Sequence, residues 1–205
     1  KIMKKLFLVL GLTFAFGSFA QNMKVESGSY DFLKGVKELN VEFDYSNLKM
    51  MKDNLIESEY IENRKGDLNE KNTGEGDKWE KKWHSAKENI WQPKFLDLVN
   101  GVVSKKNKGF KAEEGLSSAK YTLIVEVKWM YPGWDVYVSK QPAKVTTTLR
   151  FVETANRDNV LLEVSSENAP GDGFGPNFSN EVRIGEGFAK TGKTLGKYMW
   201  KKGMK

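Results

Sequence analysis

Gly187-Phe188-Ala189-Lys190-Thr191-Gly192-Lys193-Thr194 fits G-x-x-x-x-G-K-T, the pattern of a loop that cradles phosphates with backbone N–H groups. That chemistry needs a buried strand before the loop and a later strand to supply a magnesium-binding acid. Asn180–Ile184 is short and polar, and eleven residues follow Thr194. The same segment has a helical explanation. Ile184, Phe188, Thr191, Leu195 and Tyr198 form one stripe, and Gly185, Ala189, Gly192 and Gly196 form a second beside it at the same spacing. Each glycine costs a helix interior up to ~1 kcal/mol against alanine. Aligned glycines therefore predict a smooth strip that lets the helix backbone sit close to the sheet, and the match is read as spurious.

The other reactive residue types are sparse. His84 is the only histidine, so a multi-histidine metal cluster cannot form, and no serine and acid are ordered to make a triad with it; it is read as a surface residue. There is no cysteine, which excludes thiolate nucleophiles, cysteine-ligated zinc and iron–sulfur clusters, disulfides and a lipidated cysteine anchor. Glu42 and Asp44 share one strand face, as any solvated strand face would have it; no carboxylate pair of glycosidase geometry is legible. Asp158 and Asp172 lie in turn sequences without calcium-loop spacing. No catalytic residue, metal site or cofactor is assigned, and the chain is read as non-enzymatic. Among six tryptophans, Trp79 and Trp83 fall on an apolar helical stripe, and Trp129 shares a strand face with Leu123 and Val125, so all three are predicted core. Trp134 follows the turn Pro132-Gly133. With Tyr131 and Tyr137 it forms the candidate ligand-binding cluster, because exposed aromatics mark binding surfaces.

These residues must be carried by a fold that composition bounds. Lys1, Lys4 and Lys5 precede an apolar run, Leu6 to Phe16, closed by small residues up to Ala20. This is the pattern of a secretory signal peptide over residues 1–20, too short in its apolar part to span a bilayer. It predicts export to the periplasm or beyond, with no transmembrane span after cleavage. The whole chain carries a net charge of +6. Without the leader, 30 basic side chains face 27 acidic ones, interspersed, which predicts a solvated surface and no nucleic-acid partner.

Residues 21–35 show no period and are predicted to be a flexible arm; 36–205 are predicted to form a single domain. Leu39, Val41, Phe43 and Tyr45 alternate with polar residues as a half-buried strand. Asn47–Lys71 is weakly helical. Asp77 is read as an N-cap, and Trp79, Trp83, Ala86 and Ile90 share a helical face that restarts near Pro93. Tyr121–Tyr131 and Val145–Phe151 alternate as strands; Val136 and Val138 form a short one; Asn156–Asn159 turns into Val160–Ser165 as a hairpin. Ser179–Lys202 is the closing helix. The prediction is an α/β chain of α+β type: a single two-layer sandwich, a mostly antiparallel sheet of four or more strands with helices packed on one face, and room for one parallel pair across the crossover 47–118.

Lys108-Gly109-Phe110-Lys111 follows a helix, the strand from Ala119 comes next, then the hairpin of Val145–Thr154 and Val160-Leu161-Leu162, then the closing helix. This order of parts resembles the small envelope domains typified by the amino-terminal domain of TolB and by CsgG-like proteins. The chain is also similar to uncharacterised secreted bacterial proteins with Asp77-Lys78-Trp79 and Phe151-Val152-Glu153-Thr154 segments. The resemblance spans roughly residues 36–200 and brings no catalytic signature. It implies an envelope interaction module with a protein partner, met through a sheet edge or the 131–142 hairpin. The alternative reading is a glycan or small-ligand binding module using Tyr131, Trp134 and Tyr137.

Overall fold

The computed structural model describes residues 21–136, 138–171 and 179–205. The leader assigned to residues 1–20, Tyr137 and Asp172 lie outside the described residues. The architecture is a two-layer α+β arrangement. A mostly antiparallel sheet carries the helices on one face, and one contiguous apolar core fills the space between them.

Along its main path the sheet runs β1-β10-β9-β6-β2-β5, with β1 (Asn22–Gly28), β10 (Asn156–Gly171), β9 (Ala143–Glu153), β6 (Tyr121–Tyr131), β2 (Glu38–Asp44) and β5 (Lys111–Glu114). A short β3 (Lys49–Met50) continues the line of β2 beside β6 and pairs with β4 (Leu55–Ile56). The supposed arm is in part a strand: Asn22–Gly28 pairs antiparallel with β10 as an edge. Its signal is weak because one side faces solvent, and a register shift at Val25/Ser27 breaks the alternation. Parallel pairing also exceeds the expectation of one pair, since β2 lies parallel to both β5 and β6. The helical crossover between β2 and β6 makes this possible.

That crossover is α1 (Glu57–Lys71), α2 (Glu75–Ala86) and α3 (Gln92–Val103), with a π-turn, Lys87–Trp91, between the last two. The interruption falls where Pro93 occupies the first turn of α3, where its missing N–H costs nothing. Asp77 is not the N-cap. Gly74 holds that position with φ of 83°, and Asp77 sits inside the first turn. The last helix, α4 (Asn180–Met199), starts at Ser179, whose Oγ accepts a hydrogen bond from the Val182 N–H at 3.2 Å.

The glycines of α4 allow close contact, but chiefly with α3 rather than with the sheet. A Cβ added at Gly192 would lie 2.3 Å from the Phe95 carbonyl oxygen, and one at Gly185 would lie 2.8 Å from Ile90 Cγ2. At Gly196 it would meet Val102 Cβ at 3.1 Å. The two helices thus run in the same direction, backbone against backbone. Gly187 is the member that faces the sheet, where a Cβ would stand 2.6 Å from Val145 Cγ2. The phosphate-loop match therefore lies within a continuous helix, whose interior N–H groups serve its own carbonyls.

On the uncovered face the sheet is polar. Arg157 donates two hydrogen bonds to Glu42, at 2.8 and 2.7 Å, and Glu126 accepts from Lys128 and from Arg150, each at 2.9 Å. Trp129 is not core. A bulge at Val127/Trp129 reverses the alternation, so Met130 is fully buried and Trp129 turns to the other face, where its Nε1 donates to the Met51 carbonyl at 2.7 Å. Among the described residues no helix is long and apolar enough to cross a membrane.

Candidate functional site

The helix α1 has a weak apolar pattern because its informative stripe is polar. Tyr60, Asn63, Arg64 and Asp67 stand at i, i+3, i+4 and i+7, which places them on one face. That face forms one wall of a cleft of about 350 Å³. Met51, Asp53 and Leu55, from β3 to β4, form the floor and rim. Tyr131, Pro132, Gly133 and Trp134 form the opposite wall, and Asn180 closes the end.

Two of the three predicted aromatics are therefore brought together, and the third, Tyr137, lies outside the described residues. Trp134 is 40% exposed. Its Nε1 and the Tyr131 hydroxyl both donate to Gln141 Oε1, at 3.2 and 3.1 Å. Tyr131 also stacks on Trp129, with ring centroids 6.3 Å apart and planes 9° from parallel. The rings are thus held by contacts outside the cleft.

The hairpin is smaller than expected. Val136 and Val138 form no strand; the paired residues are β7 (Trp134–Asp135) and β8 (Lys140–Gln141). Two-residue strands hold poorly alone, and two features fix this one. Gly133 has φ of 65°, and a Cβ there would meet the Gln141 carbonyl oxygen at 2.3 Å, so only glycine suits the turn. Arg183, on α4 and 4% exposed, donates from Nε to the Pro132 carbonyl at 3.0 Å and from Nη2 to the Gly133 carbonyl at 3.1 Å. Burial lowers the Arg183 pKa from its ordinary value, opposed by the nearby acids. Arg183 also donates to Asn180 Oδ1, one turn back; nothing in the sequence marked it, because the carbonyls it holds lie about fifty residues away.

Arg64 lines the cleft, while its Nε is buried without a hydrogen-bond partner, a state that costs free energy. Burial pushes Tyr60 up to about 12, so its hydroxyl stays protonated across the physiological range. Arg64 and Asn180 also line a second hollow of about 260 Å³ beside Trp79, Lys78 and Glu181. There the Trp79 Nε1 and Glu181 Oε1 atoms are likewise buried without partners. The two hollows share Arg64 and Asn180 as lining residues.

The remaining candidates sit apart. His84 is exposed on α2. Glu42 is held below the usual carboxylate range by hydrogen bonds from Arg157, and Asp44 by those from Ser46. The Asp158 backbone N–H is bonded to Asn156 Oδ1 at 3.3 Å, a turn contact. Among the described residues no group of three or more His, Asp or Glu side chains is placed to hold a metal ion.

No protein-family model matches the chain, and no curated protein matches it. Fourteen chains of solved structures do. One is the PelC dodecamer from Paraburkholderia phytofirmans, 10% identical, covering 86% of this chain and 97% of that one, with a TM-score of 0.39. Another is a single-residue variant of that dodecamer, 10% identical over 86% of this chain and 98% of that one, with a TM-score of 0.38.

Proposed function

We propose that this chain is a non-enzymatic binding module whose ligand is a glycan, seated in the cleft between α1 and the Tyr131–Trp134 turn. One observation carries the reading: a half-exposed indole shares a cleft with a helical wall of hydrogen-bonding side chains, Asn63, Arg64 and Asp67. Flat apolar rings and convergent polar groups are what a sugar ring, apolar on its faces and polar on its edge, requires. The volume falls in the range of small-ligand sites, ~300–1,000 Å³. A place in the bacterial envelope is part of the same proposal, supported by the leader reading of residues 1–20 and by the resemblance to TolB- and CsgG-like domains.

The test is retention on a panel of immobilised polysaccharides. Trp134→Ala is expected to abolish retention, and Arg64→Gln to weaken it at least tenfold, both with unchanged melting temperature. Retention by no glycan, or full retention by Trp134→Ala, refutes the reading.

A second reading has its own observation. Val136 is 58% exposed and Val138 94% exposed at the tip of the same hairpin, an apolar pair that suits a protein partner. Val136→Ser with Val138→Ser separates the two: loss of a captured envelope protein with glycan retention intact supports the protein reading, and an unchanged capture profile refutes it.

A further inference from the structure

Charge is interspersed along the sequence but segregated in space. Three segments far apart in the chain meet at the end of the molecule opposite the cleft. Lys37 Nζ donates to the Lys108 carbonyl at 2.9 Å and to Asn107 Oδ1, and Asn107 Nδ2 donates to the Val36 carbonyl at 3.0 Å. The closing π-turn, Trp200–Met204, packs against the short 3₁₀ turn Asp31–Leu33; a Cβ at Gly203 would lie 2.3 Å from the Tyr30 carbonyl oxygen.

The convergence gathers cations. Lys34 and Lys37 follow the 3₁₀ turn, and Lys105, Lys106 and Lys108 follow α3. Lys201, Lys202 and Lys205 come from the closing segment. All are exposed, and none makes an ion pair among the described residues. Asp31 and Glu38 are the acidic residues within these segments. Beside them lies a shallow hollow of about 480 Å³, lined by Lys34, Lys37 and Lys120 with Phe32 and Tyr121, and with Glu38 at its margin.

We propose that this end docks on the surface of an anionic phospholipid bilayer, with headgroup phosphates among the lysines. Charge complementarity selects the class. The cations of the three segments are all lysine, without an arginine. Arginine's planar fork suits fixed phosphate and base edges, whereas lysine is a mobile point charge suited to a fluid headgroup layer. Half-buried Phe32, Tyr198 and Trp200 border the same end, and such rings favour the membrane interface. A lysine near an anionic leaflet contributes about fivefold to binding, and the effect decays within a Debye length.

The test is co-sedimentation of the full chain with phosphatidylcholine vesicles, with and without phosphatidylglycerol, at low and high salt. Lys105→Gln, Lys106→Gln and Lys201→Gln are combined in one variant. Lys52→Gln, Lys71→Gln and Lys81→Gln make a control of equal charge. The expected result is binding to anionic vesicles that salt weakens and that the first variant loses by about a hundredfold, while the control is unchanged. Lysine acetylation mapped by mass spectrometry is expected to show Lys34, Lys37, Lys105 and Lys106 protected by anionic vesicles, and Lys52, Lys71 and Lys81 unprotected. No protection, equal losses in both variants, or tighter binding to single-stranded DNA than to vesicles overturns the proposal. None of these outcomes bears on the glycan cleft.

Discussion

Replacing Gly192 by alanine tests the central packing claim. In an open helix position the change is favourable by up to about 1 kcal/mol, because alanine is the better helix former. At Gly192 the new Cβ would fall 2.3 Å from the Phe95 carbonyl oxygen and 3.1 Å from the Phe95 carbonyl carbon. Both are backbone atoms in the first turn of α3, so no side chain can swing aside. The helices must part by about 1 Å, which forfeits a quarter to a half of each dispersion contact across the seam. Overpacking of this kind costs about 3 kcal/mol, for a net loss near 2 kcal/mol. In a chain of this size that lowers the melting temperature by about 4–8 °C.

Two companions make the prediction discriminating. Gly66 lies within α1 with nothing inside 4 Å of an added Cβ, so Gly66→Ala is expected to raise the melting temperature by about 2–4 °C. Gly196 meets Val102 Cβ at 3.1 Å and the Val99 carbonyl at 3.2 Å, so loss and gain nearly cancel. Thermal and urea unfolding of the three variants should rank Gly66→Ala above wild type, Gly196→Ala near it and Gly192→Ala below. If Gly192→Ala is as stabilising as Gly66→Ala, the glycines are not there for the α3 contact. A rise in melting temperature with magnesium-ATP would then restore the phosphate-loop reading.

Acid should destabilise the protein through the open face of the sheet. Burial alone would raise the Glu126 pKa, but the Lys128 and Asn47 hydrogen bonds and the Arg150 charge together hold it below its ordinary 4.5. Its contribution is therefore full above about pH 4.5 and lost as pH falls through the depressed folded value; Glu126→Gln should flatten the urea midpoint against pH there and cost about 1 kcal/mol at pH 7. Arg183→Lys removes the fork that holds the Pro132 and Gly133 carbonyls, so it should cost about 2 kcal/mol in urea unfolding and speed proteolysis within 132–142. Unchanged cleavage there would show that Gly133 alone holds the turn.

What the sequence made legible follows from which forces are local. Alternation in β2, β6 and β9 and the stripe of α4 reflect burial on one face, a signal every residue of the element repeats. The bulge at Val127/Trp129 is a single extra residue, and it moved Trp129 to the wrong face in the sequence reading while leaving the strand itself correct. Edge strand β1 was missed because an edge with one solvated side has little apolar signal. The polar stripe of α1 was present as Tyr60, Asn63, Arg64 and Asp67, yet such a stripe reads as solvent-facing until another element is seen opposite it. The lysines look dispersed in the sequence because the segments that meet in space lie more than 60 residues apart in the chain.

The parallel docking of α3 and α4 gives these features a common geometry. Asn180 and Arg183 begin α4 at the cleft, and Lys201 and Lys202 follow its far end. Twenty residues of helix separate the two ends by about 30 Å. That exceeds the range of direct contact and spans about four Debye lengths at physiological salt. Substitutions at the two ends should therefore act independently, and a Trp134→Ala variant carrying the three lysine changes should show the sum of the separate effects on glycan retention and vesicle binding. A chain docked by its lysine end would then hold its cleft about one helix length from the bilayer, facing away from it. Coupling between the two readouts would mean that α4 shifts against α3 when either end is occupied, a movement the glycine contacts at Gly185, Gly192 and Gly196 leave no slack to absorb.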